Sequence, residues 1–312
     1  MSGDYEVIIL GAGPAGLTAA LYAARAKRST LVLGERPGGS PVLYDRVDNY
    51  PGFPGGVPGA QLMLGMVQQV DDMGVARWTE NAEAVVPEAG GYRVRSPGGE
   101  ARAPAVILAT GCRPCRLRVP GEEALVGRGV FYCAHCDAPV FQHFGKVRAV
   151  VVGGGNSAVH TALYVAGYAE EVVVVHRGAA LRADQVSQEA LRAHPKVRLR
   201  LGRTVEALRT DGGQLAAVVL RDAATGDSEE LEAQGLFVGI GQEPNREPVE
   251  GLVELSEEGF VVVDAARRTS REGLFAAGDV VAKPLRQIVT AAADGAVAAD
   301  SAIQFLALRR PG

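Results

Sequence analysis

The 312-residue sequence is poor in tryptophan, cysteine and histidine, and it has no excess of basic residues. It contains one Trp, 4 Cys and 5 His, and its 32 Lys and Arg against 36 Asp and Glu give a formal net charge of −4. A nucleic-acid-binding surface is therefore not expected, because neutralising phosphates requires a basic face. So few cysteines in a long chain also argue against a disulfide scaffold and favour catalytic or metal-binding thiols.

Long apolar runs are missing as well. Continuous apolar stretches such as residues 105–109 and 172–175 fall far short of the roughly 20 residues that a membrane-spanning helix needs. The N-terminal residues 1–6 are acidic and do not have the basic and apolar segments of a secretory signal. We therefore expect a soluble, cytoplasmic protein without membrane contact.

Glycine is abundant instead, with 40 residues, and a first glycine turn predicts a dinucleotide site. A strand over residues 5–10 is followed by GAGPAG (11–16) and then by a helix over residues 17–26. The first glycine allows a tight turn, the second lets the backbone approach a pyrophosphate, and the third permits close approach of the helix. The next strand, over residues 29–33, leads to Glu35, which can accept hydrogen bonds from an adenosine ribose.

The same unit recurs about 140 residues later. A strand over residues 146–152 precedes GGGNSA (153–158), a helix over residues 159–167 and a strand over residues 171–175 that ends at His176 and Arg177. The repeat predicts two nucleotide-binding domains, which suits the length of the chain. Further strands are predicted over residues 197–201, 215–221, 235–240, 259–264 and 274–277, with a final helix from residue 287 onward.

The four cysteines have the spacing C-x2-C-x17-C-x2-C, formed by Cys112, Cys115, Cys133 and Cys136. This spacing is compatible with a four-thiolate zinc site. However, the first pair follows a buried strand and the second precedes a nucleotide unit, whereas zinc knuckles need short hairpin turns in a small module. We therefore favour a reversible disulfide between Cys133 and Cys136, expect no metal, and interpret the other two as buried thiols or an auxiliary dithiol.

Together these motifs resemble those of the low-molecular-weight thioredoxin reductases, which are FAD-dependent pyridine nucleotide-disulfide oxidoreductases, over essentially the whole chain. The matching segments are GAGPAG (11–16), PGG (37–39), NYPGFP (49–54), ILATG (107–111), GRGVFYCAHCD (127–137), GGGNSA (153–158), HRGAALRA (176–183), GIGQEPN (239–245), FAAGDV (275–280) and RQ (286–287). The resemblance implies an α/β fold of two Rossmann-like, three-layer ββα domains. An FAD domain would comprise residues 1–115 and 246–312, with an NAD(P)H-type domain of residues 116–245 inserted into it, and the protein would be a homodimer.

The resemblance also implies roles for individual residues. FAD would be bound by Gly11, Gly13, Pro14, Ala15, Gly16, Glu35, Gly38, Gly39, Asn49, Thr110, Gly111, Gly278, Asp279, Arg286 and Gln287. NADPH or NADH would be bound by Gly153, Gly155, Asn156, Ser157, Ala158, His176, Arg177 and Arg182. Cys136 would face the flavin as a thiolate, Cys133 would attack the disulfide of the partner, and Asp137 would supply protons.

Departures from the family pattern leave the electron donor and the partner open. The usual H-R-R-x-x-x-R reader of a 2′-phosphate has Gly178 at its second arginine, and residues 138–140 replace a glycine followed by aromatics. A branch of the family receives electrons from ferredoxin or from a second flavin. The expected function is electron transfer from NAD(P)H through FAD to the Cys133–Cys136 disulfide and on to a thioredoxin-like protein. The alternatives are a ferredoxin-linked or two-flavin disulfide reductase and a zinc-stabilised flavin-binding module without turnover.

Overall fold

The computed structural model describes residues 2–44, 46–47, 49–143 and 145–309, without the side chains of Ser2, His135 and Cys136. The chain divides into two compact units, one formed by Met1–Arg113 and Glu243–Gly312 and the other by Pro114–Gln242. The second unit is therefore inserted into the first.

The N-terminal part of the first unit alternates strands with two helices before a run of hairpin strands. In chain order its elements are β1 (Ser2–Asp4), β2 (Val7–Leu10), α1 (Pro14–Arg25), β3 (Thr30–Leu33), α2 (Gly59–Asp72), β4 (Ala76–Trp78), β5 (Ala84–Glu88), β6 (Gly91–Ser96), β7 (Gly99–Ala103), β8 (Ala105–Leu108) and β9 (Cys112–Pro114).

The inserted unit again alternates strands and helices, and it ends with a group of longer strands. Its elements are β10 (Val130–Phe131), α3 (Ala134–Asp137), β11 (Arg148–Val152), α4 (Asn156–Val165), β12 (Glu171–His176), α5 (Gln185–Ala193), β13 (Val197–Leu201), β14 (Arg203–Asp211), β15 (Gln214–Asp222), β16 (Ser228–Glu232) and β17 (Gly235–Val238).

The chain then returns to the first unit through β18 (Gln242–Pro244), β19 (Leu274–Ala276) and α6 (Ile288–Leu308). Strand β18 pairs with β9, so the two crossings of the chain lie side by side.

By length and composition alone, α6 could cross a membrane. A core helix has the same properties, and α6 packs so closely on α1 that a Cβ atom at Gly295 would lie 2.1 Å from the carbonyl oxygen of Ala15. The expected absence of membrane contact stays a prediction.

In the first unit, a parallel sheet in the order β19-β8-β2-β3-β4 carries the core. Strands β2, β3 and β8 are buried along their whole length, as expected for parallel strands covered on both faces. Leu10 lies opposite both Leu33 and Leu108. The carboxyl ends of the three strands therefore meet at one edge, which is where ligands bind in open α/β sheets. A second sheet has the order β1-β7-β6-β5.

The inserted unit repeats this arrangement with a parallel sheet in the order β10-β17-β11-β12-β13 and adds a three-stranded antiparallel sheet, β14-β15-β16. Val152 lies opposite both Val175 and Val238. The turn after β11 and the residue His176 at the end of β12 consequently share one edge of the sheet.

One strand prediction is wrong, and one helix was missed. The strand predicted over residues 259–264 is wrong, because Val261 forms only isolated bridges with Leu255 and Val281. Gly259 has a φ of +85° in a tight turn, which interrupts any extended run. Helix α5 was not predicted, although Asp184 caps it by accepting a hydrogen bond from the backbone N–H of Ser187.

Candidate nucleotide-binding and redox sites

The first glycine turn joins β2 to α1, and its three glycines meet different surroundings. Gly11 has a φ of +115°, and a Cβ atom there would lie 2.2 Å from the carbonyl oxygen of Ala109. A Cβ atom at Gly16 would lie 1.8 Å from the carbonyl oxygen of Gly11. At Gly13, by contrast, the nearest atom is the Cα of Gly39, 3.9 Å away. The first and third positions are thus closed by backbone, while the second leaves the N-terminus of α1 open to a ligand.

The predicted residues Gly38 and Gly39 lie against this turn. The backbone N–H of Gly38 donates to the carbonyl oxygen of Ala12 at 2.8 Å. A Cβ atom at Gly39 would lie 2.8 Å from the Cα of Gly13. Pro14 is the first residue of α1 and Ala15 is buried behind it. The two glycine segments therefore form a backbone-lined cradle without side chains, which is what close approach of a pyrophosphate requires.

Glu35 lies just beyond the carboxyl end of β3 and is exposed. The Nδ2 atom of Asn81 donates to Oε2 of Glu35 at 3.0 Å, and the backbone N–H of Glu35 donates to Oδ1 of Asn81 at 3.3 Å. This pair fixes the carboxylate at the edge of the sheet, where it can accept hydrogen bonds from a ribose. Asn81 was not predicted, because it lies 46 residues away from Glu35 in sequence.

Asp279 lies in a short turn after β19, next to Gly278, and it offers a direct test of whether the site fits a flavin nucleotide. Its Oδ1 atom is buried and has no hydrogen-bond partner among the described residues. The ammonium group of Lys283 is 3.4 Å from that oxygen. Burial raises the pKa of Asp279, while Lys283 and Arg286 act in the opposite direction. A buried acceptor that is paired only loosely, with Lys283 at 3.4 Å, can still accept a hydrogen bond from a ligand hydroxyl, so the residues present fit the ribityl chain of FAD.

Three more of the predicted residues lie in this part of the first unit, namely Arg286, Gln287 and Asn49. Arg286 donates from Nε to the carbonyl oxygen of Asp279 at 3.2 Å, and its guanidinium lies 3.8 Å over the ring of Phe260. Asn49 donates from Nδ2 to Oε1 of Gln287 at 2.9 Å, although 238 residues separate the two. The sequence motifs NYPGFP and RQ therefore meet at one place in the fold.

Thr110 and Gly111 follow β8, beside the second crossing of the chain. The Thr110 hydroxyl donates to the carbonyl oxygen of Asn245, and Nδ2 of Asn245 donates back to the carbonyl oxygen of Thr110 at 3.0 Å. The backbone N–H of Asn245 also donates to the carbonyl oxygen of Gly111 at 3.0 Å. These bonds hold the loop after β8 at the same sheet edge as the first glycine turn.

Cys112 belongs to the same part of the first unit, since its Sγ donates to the carbonyl oxygen of Asp279 at 2.8 Å. Burial, together with the charge of Asp279, raises the pKa of Cys112 to about 12. Because the thiolate is the reactive form, this thiol is unreactive near neutral pH. Cys115 is likewise outside any disulfide. These observations favour a buried thiol at Cys112 over one half of an auxiliary dithiol.

The second glycine turn joins β11 to α4. Gly153 has a φ of +148°, and a Cβ atom there would lie 2.2 Å from the carbonyl oxygen of Gly239. Gly155 precedes the first turn of α4, and a Cβ atom there would meet nothing within 4 Å. Ser157 is exposed and Ala158 is buried. Asn156 accepts a hydrogen bond through Oδ1 from the backbone N–H of Asp184 at 2.8 Å, which ties the turn to the start of α5.

His176, Arg177 and Arg182 surround this second turn. The buried ring of His176 lies under Gly154, where a Cβ atom would be 2.4 Å from its Cε1. Burial lowers the pKa of His176, and the charges of Arg182 and Arg177 lower it further. Both arginines are exposed, and the backbone N–H of Arg182 donates to the carbonyl oxygen of Gly154 at 2.6 Å. The turn is therefore flanked by two cations that can reach a phosphate.

Gly178 stands where the family pattern has its second arginine, and it lies against the ring of His176. A Cβ atom at Gly178 would lie 2.9 Å from Nε2 of His176. In this structure a side chain at position 178 would require the imidazole of His176 to shift.

The redox pair follows the short strand β10. Cys133 is half-buried and disulfide-bonded, whereas the roles expected of the Cys136 side chain fall outside the described residues. Helix α3 begins at Ala134, inside the pair, and consists of a single turn. Burial raises the pKa of Asp137, and a backbone hydrogen bond from Cys133 opposes that shift. A carboxyl group with a raised pKa is suited to delivering protons.

A buried carboxylate that the sequence did not indicate supports this pair. Glu122 is 4% exposed. It accepts hydrogen bonds from the backbone N–H groups of Leu117 and Arg118 at 2.9 and 2.7 Å, and from the hydroxyl of Tyr132 at 2.5 Å. Burial and this hydrogen bond raise the pKa of Tyr132. Since Tyr132 directly precedes Cys133, Glu122 fixes the chain on which the disulfide lies.

Comparisons with known proteins agree with this geometry. The pyridine nucleotide-disulphide oxidoreductase family matches residues 5–295. The chain is 40% identical to the thioredoxin reductase of Peptoclostridium litorale over 98% of both chains. It belongs to the thioredoxin reductase family. It is also 41% identical to NADPH-dependent thioredoxin reductase 3 of Arabidopsis thaliana over 96% of its own length, and it spans 58% of that longer protein.

Solved thioredoxin reductases confirm the predicted fold class. The crystal structure of Lactococcus lactis thioredoxin reductase in its FR conformation aligns with a TM-score of 0.86 at 34% identity, covering 97% of this chain and 99% of that chain. A ferredoxin-flavin thioredoxin reductase from Clostridium acetobutylicum aligns with a TM-score of 0.55 at 27% identity, covering 99% of this chain and 100% of that chain. The chain is thus an oxidoreductase with one Rossmann-like domain inserted into another.

Proposed function

We propose that this protein is an FAD-dependent thioredoxin-disulfide reductase. It passes electrons from NADPH or NADH through FAD to a Cys133–Cys136 disulfide and on to a thioredoxin-like protein. The observation that carries the proposal is that Cys133, in the inserted unit, is disulfide-bonded. It lies in a chain whose two units each contain a strand, a glycine turn and a helix in succession. Full-length similarity to thioredoxin reductases supports it.

The first unit would hold FAD, which supplies two-electron transfer between the nicotinamide and the disulfide. The open N-terminus of α1 at Gly13, backed by Gly39, would take the pyrophosphate. Glu35, oriented by Asn81, would accept hydrogen bonds from the ribose, and the buried Oδ1 of Asp279 would accept one from the ribityl chain. These assignments rest on the backbone-lined cradle and the unsatisfied acceptor.

Thiol chemistry on the inserted unit would then reduce the partner. In the dithiol form, the Cys133 thiolate attacks one sulfur of the partner disulfide, so that a mixed disulfide forms and one partner thiolate leaves. Cys136 attacks the Cys133 sulfur, which closes the Cys133–Cys136 disulfide and releases the second partner thiolate. The two released thiolates take up two protons, and Asp137, whose pKa is raised by burial, can supply one of them.

The donor is set by the second turn. Arg177 and Arg182 favour a dinucleotide with a 2′-phosphate, because guanidinium groups bind phosphate through charge-assisted hydrogen bonds. The absence of an arginine at Gly178 weakens that preference. It also favours a second candidate, in which ferredoxin or a second flavin supplies the electrons, and the resemblance to the ferredoxin-flavin enzyme of Clostridium acetobutylicum supports this. The disulfide at Cys133 argues against a four-thiolate zinc site.

Anaerobic titration of the purified yellow protein with NADPH and with NADH tests the proposal. We expect the flavin absorbance to bleach with at least one of the two nucleotides, and at lower concentration with NADPH. If neither bleaches the flavin but reduced ferredoxin does, or if each chain carries two flavins, the second candidate replaces the first. A protein without flavin overturns both.

We further propose that the protein works as a homodimer in the cytoplasm, without membrane contact. Large apolar side chains are exposed on α1, α2 and α6 of the first unit, namely Tyr22, Leu64, Val289 and Val297. Exposed apolar residues of this kind suit a subunit interface. Light scattering coupled to gel filtration should give twice the mass of the chain, and a monomer would contradict the dimer.

A further inference from the structure

A buried group of opposite charges lies beneath the turn that contains Asp279. Asp294 on α6 is 3% exposed, and the side chain of Lys283 is 9% exposed. Charged side chains are rarely buried to this extent unless they are paired. Neither residue is part of the sequence motifs that point to FAD.

The Asp294 carboxylate has three partners. Its Oδ2 accepts hydrogen bonds from Nζ of Lys283 at 2.9 Å and from the backbone N–H of Gly278 at 3.2 Å. Its Oδ1 forms an ion pair with Nη2 of Arg267 at 2.6 Å. Gly278 has a φ of +78°, and a Cβ atom there would lie 2.8 Å from the Cβ of Ala15. Asp294 therefore fixes the backbone that precedes Asp279 against the first turn of α1.

Lys283 is shared between two carboxylates. Its ammonium lies 2.9 Å from Oδ2 of Asp294 and 3.4 Å from Oδ1 of Asp279, the buried oxygen that has no hydrogen-bond partner among the described residues. The other charged groups that influence Asp279 are Arg286 and Asp294. Tyr44 and Cys112 also lie close to it, since the charge of Asp279 raises the pKa of each.

We infer that Lys283 is a positioning residue for FAD: its ammonium group, anchored by Asp294, holds the Asp279 carboxylate as a charged hydrogen-bond acceptor for the cofactor. The inference rests on the proposed function, because it concerns the same site. It adds a cation and its anchor, Asp294, to a site that the motifs describe only through Asp279.

A pH dependence follows from this arrangement. Burial already raises the pKa of Asp279, and among the charged groups that lower this pKa, Lys283 has the largest effect. Without Lys283, the carboxyl group would take up its proton at a higher pH and lose its strength as an acceptor. FAD affinity would then fall as the pH falls, beginning at a higher pH than in the natural protein.

Fluorescence titration of the FAD-free full chain with FAD, between about pH 8 and about pH 5.5, tests the inference. For Lys283→Met we expect the Kd for FAD to rise about tenfold at the acidic end, while the natural protein changes little. Lys283→Arg should restore the natural profile, because it keeps a positive charge beside Asp279. Lys146→Met, at a lysine whose side chain is 86% exposed, is the matched control.

The outcomes separate the inference from the proposed function. Parallel pH profiles for Lys283→Met and the natural protein would overturn the inference while leaving FAD binding intact. Failure of Lys283→Arg to restore the natural profile would overturn it too, because the inference requires a cation at position 283. A natural protein that binds no FAD at any pH would overturn the proposed function and this inference with it. Circular dichroism at each pH identifies a variant that has unfolded, and Lys283→Gln then takes its place.

Discussion

The two glycine turns of this chain share a backbone design but differ at their third position. In the first turn, Gly16 touches backbone so closely that a Cβ atom would lie 1.8 Å from the carbonyl oxygen of Gly11. In the second turn the equivalent residue is Ala158, whose methyl group lies 2.6 Å from where a Cβ atom at Gly153 would be. Helix α1 thus contacts its glycine turn backbone to backbone, whereas α4 leaves room for one methyl group between its backbone and its turn.

The two units also differ in the charge of the residues that follow the second strand of each. The strand after the first helix leads to Glu35, held by Asn81, and the strand after the second ends at His176 next to Arg177, with Arg182 nearby. A carboxylate accepts from ribose hydroxyls, while arginines bind phosphate. We propose that one backbone design serves two ligands here, and that the residues after the second strand of each unit decide which ligand it binds.

The largest expected effect breaks the first turn. Gly16→Ala forces a methyl group onto the carbonyl oxygen of Gly11, so we expect a loss of about 3 kcal/mol in the free energy of unfolding together with loss of FAD. Urea unfolding and flavin content measure both. Gly65→Ala, on α2 with nothing within 4 Å, is the control. Full flavin content with stability within about 1 kcal/mol of the natural protein would show that the turn is less tightly closed than described.

The next effect tests the charges of the second turn. Arg182→Ala removes a cation from a phosphate site, so we expect the Kd for NADPH to rise about 20-fold, or about 1.8 kcal/mol, with little change for NADH. Isothermal titration with both nucleotides measures the difference, and Arg192→Ala on α5 is the control for the loss of a surface arginine. Equal weakening for NADPH and NADH would mean that Arg182 does not contact a 2′-phosphate.

A smaller effect is expected at the open position of the second turn. Gly155→Ala meets no atom within 4 Å, so the fold should be retained. The methyl group would stand where a pyrophosphate approaches the N-terminus of α4, and we expect the Kd for the nucleotide to rise about fivefold with FAD content unchanged. An unchanged Kd would place the nucleotide elsewhere.

The smallest effect concerns pH. Because burial and two arginines lower the pKa of His176, the unfolded chain binds this proton at a higher pH than the folded protein does. The contribution of His176 to stability is therefore present above about pH 6.5 and is lost as the pH falls below it. We expect urea unfolding of the natural protein to lose up to about 1 kcal/mol more between pH 7.5 and pH 5.5 than that of His176→Gln. Identical slopes for the two would mean that His176 does not titrate differently on folding.

Most of the predictions rest on residues that lie close together in the sequence. The two turns are specified within about 25 residues each, since a strand, its glycines and the following helix are neighbours in the chain. The redox pair was visible for the same reason, as Cys133 and Cys136 lie three positions apart.

Two of the missed residues, Asp294 and Glu122, are buried charges whose side-chain partners lie on other segments, 10 or more residues away in sequence. Asp294 meets Arg267 and Lys283 only because α6 returns to the turn after β19, and Glu122 meets Tyr132 through a loop. A sequence pattern cannot show which carboxylate will be buried, because that depends on which elements meet. The strand prediction over residues 259–264 was wrong because the apolar residues there follow a tight turn at Gly259. Among them, Val261 pairs with other segments only through isolated bridges.

In the proposed function, Cys136 takes part in a disulfide that exchanges electrons with FAD. Anaerobic titration with dithionite, comparing the FAD-bound natural protein with Cys136→Ser, tests it most directly. Flavin and disulfide each accept an electron pair, so we expect the natural protein to consume twice as much reductant per flavin as the variant, while both retain FAD. Equal consumption by the two proteins would mean that Cys136 takes part in no disulfide that accepts electrons from the flavin.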